Sequence, residues 1–126
     1  MGRSVVIAVD DIFFVSKIRA AAEHLGITVR SVRTAELVLS VARETHADLI
    51  IVDLHTTKID TTALAMSLKA DEELRSIPLL GFFSHVQVEL QRAAVQAGYD
   101  TVVPRSIFSR DLGSILSGTT QGSIEA

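Results

Sequence analysis

Residues 49–60 read "LIIVDLHTTKID": four apolar residues that stop on Asp53, then His55 and a polar loop. A short, continuously apolar run suits a strand covered on both faces, which is how strands of parallel sheets read. Similar β-branched or apolar runs recur at Val5–Val9, Ile27–Val32, Leu79–Phe83 and Thr101–Val103. Between them the apolar residues take helical spacing. Phe14, Ile18, Ala22 and Leu25 form one stripe, closed by Gly26. Leu37, Val38, Val41 and Ala42 form the next, opened by Thr34, and Leu64 and Leu68 a third. Val86, Leu90, Ala94 and Ala97 lead to Gly98, and Phe108, Leu112, Ile115 and Leu116 make a fifth. Strands alternating with helices imply a parallel sheet with right-handed crossovers. The expectation is one α/β domain over residues 1–117: a doubly wound five-stranded parallel sheet in the flavodoxin-like order 2-1-3-4-5, with helices on both faces. The end, "SGTTQGSIEA", reads as a frayed tail over residues 118–126.

Composition narrows the function classes. In 126 residues, 48% are hydrophobic and 21% charged, which fits a compact domain with a core of its own. A formal net charge of −3 leaves no electrostatic footprint for nucleic acid or for an anionic membrane. The chain has no cysteine, so thiolate metal sites and thiol nucleophiles are excluded, and a reducing cytoplasm is the compartment that fits. The opening "MGRSVVIAVDD" is too short an apolar run for a signal peptide, and no run approaches a membrane span.

In an open α/β sheet, ligands meet the carboxyl ends of the strands at the switch in strand order, here between the first and third strands. The first ends in Asp10 and Asp11, the third in Asp53. Three carboxylates converging on one crevice must raise a pKa, bind a cation or splay into water. A hard divalent ion such as Mg2+ answers the conflict through oxygen ligands. It leaves Asp53 free to attack a phosphoryl group as a nucleophile. The plainer alternative is a solvated acidic rim, with Asp10 or Asp11 capping the helix that follows.

These pieces resemble the receiver domain of bacterial response regulators, the phosphoacceptor module of two-component signalling, over about residues 3 to 117. The resemblance is carried by "VVIAVDD" at the first strand, "ADLIIVDL" around the acceptor, "IPLLGFFS" at the fourth strand and "AGYDTVVPR" at the fifth. It implies a phosphoacceptor at Asp53, with Mg2+ held by Asp10, Asp11, Asp53 and the carbonyl of His55. It also implies a signalling protein, not an enzyme, that exchanges phosphoryl with a sensor histidine kinase or phosphotransfer protein and acts on a downstream protein partner. A homodimer through the fourth helix, fifth strand and fifth helix belongs to the same picture.

Departures from the family pattern fall in the switching half of the site. The hydroxyl residue expected at the end of the fourth strand is Phe83, which has no donor; Ser84 follows it and could contact the phosphoryl group in its place only if the strand bulges or slips. The lysine that contacts phosphoryl falls on Arg105, longer and planar. The proline after that lysine is Ser106, so the turn is expected to rest on Pro104 instead. The switch aromatic of the fifth strand falls on Val102, and the loop "HTTKIDT" lacks the usual Pro and Gly. The rival expectation is therefore a pseudo-receiver, the same fold used as a phosphorylation-independent interaction or dimerisation module.

Other signals are weaker. "DLHTTK" approaches the D-x-H-x-x-G pattern that presents histidine to cobalamin, but Lys58 replaces the glycine and the motif follows the wrong strand. His24, His46, His55 and His85 lack zinc-site spacing and read as surface or capping residues. No phosphate-binding glycine loop follows the first strand, and no nucleophile elbow is present. Phe82–Phe83 read as core plus rim, and Phe13–Phe14 as a packed helix start.

Overall fold

A computed structural model describes residues 2–84 and 87–118 of the chain. Five strands, β1 (Ser4–Ala8), β2 (Thr28–Ser31), β3 (Leu49–Asp53), β4 (Leu79–Phe83) and β5 (Thr101–Pro104), form one parallel sheet in the order β2-β1-β3-β4-β5. Helices α1 (Ile12–Leu25), α2 (Ala35–Thr45), α3 (Thr61–Ala70), α4 (Val88–Ala97), α5 (Arg105–Arg110) and α6 (Leu112–Ser117) fill the crossovers and the end of the domain. The expected class, strand number and strand order are those observed.

The continuously apolar strands are explained by two cores, one on each face. Val6, Ala8, Ile50, Val52 and Leu79 pack with Val38 and Val41 of α2, Leu64 and Leu68 of α3, and Ala94 of α4. Their strand neighbours Val5, Ile7, Leu49, Ile51, Leu80 and Phe82 pack with Phe14 and Ile18 of α1, Phe108 of α5, and Leu112 and Leu116 of α6. Successive side chains of a strand point to opposite faces, so covering both faces demands apolar residues at every position. Each fully buried aliphatic or aromatic side chain contributes about 1.5–3 kcal/mol.

The expected stops hold. Gly26 closes α1 in the left-handed region at φ 71°, and the Thr34 hydroxyl accepts the Leu37 amide at the head of α2. His46 closes α2 with a positive φ of 51°, a conformation that non-glycine residues seldom adopt. The last apolar stripe is not one helix but two, interrupted at Asp111, whose φ of −103° and ψ of 20° lie off the helical values. Arg110 grips the Asp111 carboxylate with two donors at 3.0 Å each. Backbone bonds from Asp111 to Ile107 and from Ile115 to Asp111 keep the two helices in line across the break. The fourth helix, read from Val86, starts at Val88; Val86 and His85 lie outside the described residues, as do residues 119–126 of the expected tail. Gly118, the first residue described after α6, caps that helix with its amide on Ile115.

One strand glycine is there for space. A Cβ on Gly81 would come within 2.8 Å of the Leu54 side chain, which is buried directly after Asp53. Gly81 therefore lets the loop leaving β3 fold down onto β4, aided by the Leu54 amide donating to the Phe82 carbonyl at 2.9 Å.

Candidate functional site

The site lies at the carboxyl edge of the sheet. Ala8 pairs with Val52 across β1 and β3, so the next residues of both strands run out side by side. That register brings the residues after β1 and the end of β3 to one edge, and the Asp10 charge acts on Asp53. Asp11 then serves α1 as its N-cap: its Oδ1 accepts the amides of Phe13 at 2.9 Å and Phe14 at 3.2 Å. Its other oxygen, Oδ2, accepts from the Arg105 guanidinium at 3.0 Å. Arg105 opens α5 directly after Pro104, on which the turn is built, as expected from the missing downstream proline.

Arg105 has a second support. Its Cζ lies 4.1 Å from the centroid of the Phe14 ring. Phe14 in turn meets Phe82 and Phe108 edge-on, at 5.3 and 5.5 Å, while those two rings stack at 4.8 Å. The cation is thus footed on the core.

The remaining carboxylates also have partners within the chain. Asp10 accepts from the Thr56 hydroxyl. Asp53, half-buried, accepts the His55 amide at 2.9 Å, and its carbonyl accepts the Thr56 amide at 3.1 Å. Burial pushes the Asp53 carboxyl above its ordinary range, and the Asp10 charge adds to that. The His55 amide bond and the charges of His55 and Arg105 oppose the rise. Asp11 moves the other way, held below the usual range chiefly by Arg105 and by the Phe14 amide.

Phe83 is the last residue of β4, paired with Pro104 and only 5% exposed. Ser84 follows it and is exposed. Strand β4 pairs in unbroken register with β3 through Phe82 and with β5 through Phe83, so no bulge shifts Ser84 into the strand-end position. Val102 is partly buried in β5 and packs against the core beneath α3 and α4.

Mg2+ was expected on Asp10, Asp11, Asp53 and the His55 carbonyl. Among the described residues, no three Asp, Glu, His or Cys side chains are gathered so as to hold a metal ion. The physical reason is on view: each of the three carboxylates is turned to a partner of its own, and the partner of Asp11 is already a cation. In this arrangement Asp11 has both oxygens in hydrogen bonds, while Asp10 and Asp53 each accept on one oxygen.

Sequence reasoning missed two participants. Phe14 was read only as helix packing, and Thr56 drew no attention in a polar loop. The Phe13–Phe14 pair divides: Phe14 is buried and carries Arg105, while Phe13 is 84% exposed. Of the histidines, His24 falls in the last turn of α1 and His46 is the α2 cap. No described helix is long and apolar enough to cross a membrane.

No family model matches the chain. It is similar to the polar-differentiation response regulator DivK of Brucella ovis, 28% identical over 107 residues that cover 85% of this chain and 87% of the relative. Among solved structures, a response regulator from Hahella chejuensis superposes with a TM-score of 0.82 at 17% identity, covering 96% of this chain and 97% of that one. The receiver domain of a Pseudomonas aeruginosa sensor histidine kinase, solved with a magnesium ion in its active-site cleft, does so at 0.79 and 19% identity, covering 94% and 97%. Similarity in sequence to a response regulator, and an end-to-end match in fold to receivers, bear out the resemblance of this chain to the receiver domains of bacterial two-component signalling.

Proposed function

We propose that the chain is a signalling switch of the two-component kind whose phosphoacceptor is Asp53 and whose output is protein–protein contact, not enzymatic turnover. The observation that carries this is the placement of Asp53, half-buried at the carboxyl end of β3, within the field of both Asp10 and Arg105. A carboxylate in that position can attack the phosphorus of a phosphohistidine on a kinase or phosphotransfer protein. The new O–P bond forms as the P–N bond breaks, and the departing histidine nitrogen keeps the electron pair. Arg105 supplies positive charge for the phosphoryl oxygens; its planar fork has five donors, and the Asp11 pair uses one of them. The place of work would be the cytoplasm, where such kinases present their phosphohistidine. The output surface would be the α4–β5–α5 face, where Val88 and Val95 of α4 stand exposed, either to a downstream protein or to a second copy.

A second reading, the phosphorylation-independent module, is favoured by one specific feature. Phe83 closes the position from which a hydroxyl would reach a phosphoryl group. Treatment with a small-molecule phosphodonor separates the two readings. An acid-labile mass gain of one phosphoryl group, absent in Asp53→Asn, is the expected result. No gain in the wild type, or an equal gain in the variant, would favour the second reading or another acceptor.

A further inference from the structure

We infer that Arg105 is a built-in counter-ion that stands in for a divalent cation, so that this chain neutralises its acidic crevice from within and weakens metal binding there. The inference rests on reading the crevice as a receiver-type acidic site, and it concerns how that site is kept, not whether Asp53 is modified.

Three observations carry it. Both oxygens of Asp11 are committed: Oδ1 to two amides at the head of α1, Oδ2 to the Arg105 guanidinium at 3.0 Å. A metal ion on Asp11 would have to evict Arg105 or draw the carboxylate off its helix cap. Asp10 and Asp53 each give one oxygen to a partner within the chain, the Thr56 hydroxyl and the His55 amide. Arg105, finally, is not a loose rim residue. Its Cζ sits over Phe14, 4.1 Å from the ring centroid, and Phe14 is wedged against Phe82 and Phe108.

An exposed ion pair alone is weak, because water and salt screen it. This one is different because one partner is held over an aromatic ring and the other by helix capping, so little freedom is lost in holding them together. Lysine could not do the same. Its ammonium is a compact, strongly hydrated point charge without a plane to lay on the ring. A divalent ion that shared Asp11 with the guanidinium would sit within about 5 Å of a fixed positive charge, close enough for strong repulsion at the dielectric of a protein surface.

The test is titration of the full chain with Mn2+, read as free Mn2+ by electron paramagnetic resonance, in wild type, Arg105→Gln and Arg105→Gln/Asp11→Asn. The expected result is weak binding by the wild type and binding about tenfold or more tighter by Arg105→Gln, a gain cancelled in the double variant. Arg105→Gln binding no tighter than wild type, or a gain that survives loss of Asp11, would overturn the inference. Should Arg105→Gln fail to fold, the wild type decides alone. Its Arg105 side-chain Nε–H resonance is expected to stay in place through millimolar Mg2+, and displacement of that resonance would overturn the inference. Acyl-phosphate formation is scored separately, so failure of the phosphoacceptor reading leaves the metal result standing.

Discussion

The guanidinium of Arg105 rests on the ring of Phe14, 4.1 Å from its centroid, although the two residues lie on different helices at opposite ends of the chain. The ring is 4% exposed and is shared between the site and the core beneath it. Truncation should therefore be felt twice. Phe14→Ala is expected to cost about 3–5 kcal/mol in urea unfolding, the range for a large aromatic removed from a packed core. In a low-denaturant spectrum the Arg105 side-chain resonances should also move. A cost below about 1 kcal/mol would show that the ring is not wedged as described.

Asp53 carries a stability cost of its own. Its carboxyl titrates above the ordinary value because it is desolvated, so the folded chain binds more protons than the unfolded one between the two pKa values. Stability contributed by this group falls as pH rises through that window, and the penalty is fully present at neutral pH. Asp53→Asn, whose side-chain oxygen can still accept the His55 amide, should be more stable than wild type at pH 7. The difference should close as pH falls below the ordinary carboxylate value of 3.8. A less stable variant at pH 7 would contradict the assignment.

Asp11 should behave in the opposite sense. Its pKa is lowered by Arg105 first and by the capping amides after it, so its contribution is present above the unfolded value and lost as pH falls through the folded one. Asparagine caps helices about as well as aspartate, so Asp11→Asn isolates the ion pair from the cap. The variant should be less stable than wild type at pH 7, with the gap narrowing in acid. Parallel pH profiles would show that Arg105 contributes nothing through Asp11.

Tyr99 is the single tyrosine of a chain without tryptophan, so its titration can be read cleanly. Its hydroxyl donates to the Thr61 carbonyl at 2.9 Å, and burial, aided by the Asp60 charge, pushes the phenol well above its usual 10.0. Ionisation is thus easier in the unfolded chain, and stability is lost as pH rises above that usual value. Tyrosinate absorbance is expected to appear together with unfolding, not before it. Tyr99→Phe should cost about 0.5–1.5 kcal/mol, the worth of one hydrogen bond. Tyrosinate formed near the usual pH with the fold intact would refute the burial argument.

Phe83→Thr would exchange packing for a donor. The ring is buried at the end of β4, so its loss should cost about 3 kcal/mol or more. In return, a hydroxyl at that register position could donate to a phosphoryl group on Asp53. Acyl-phosphate yield should rise over wild type at matched temperature and folded fraction. An unchanged yield would mean that Phe83 does not limit the chemistry.

The sheet was legible because its cause is local. The apolar runs of β1, β3 and β4, with helical stripes between the strands, admit few arrangements that bury both faces. The break at Asp111 was not legible, because Phe108, Leu112 and Leu116 keep helical spacing across it and bury on one core. Spacing reports which face is covered, not whether the backbone is continuous.

The site divides in the same way. The ends of β1 and β3 are read from the chain, and the fold rule brings them to one edge of the sheet, as the register of the two strands shows. The absence of a donor at Phe83 was equally plain, since no conformation gives phenylalanine a hydroxyl. What each carboxylate faces was decided only in three dimensions. Whether Asp11 offers an oxygen to a metal or to Arg105 depends on a contact across 94 positions. That contact depends in turn on Phe14 lying against Phe82 and Phe108. Side-chain partnership at a sheet edge is set by packing between elements remote in sequence, and a one-dimensional pattern carries no record of it.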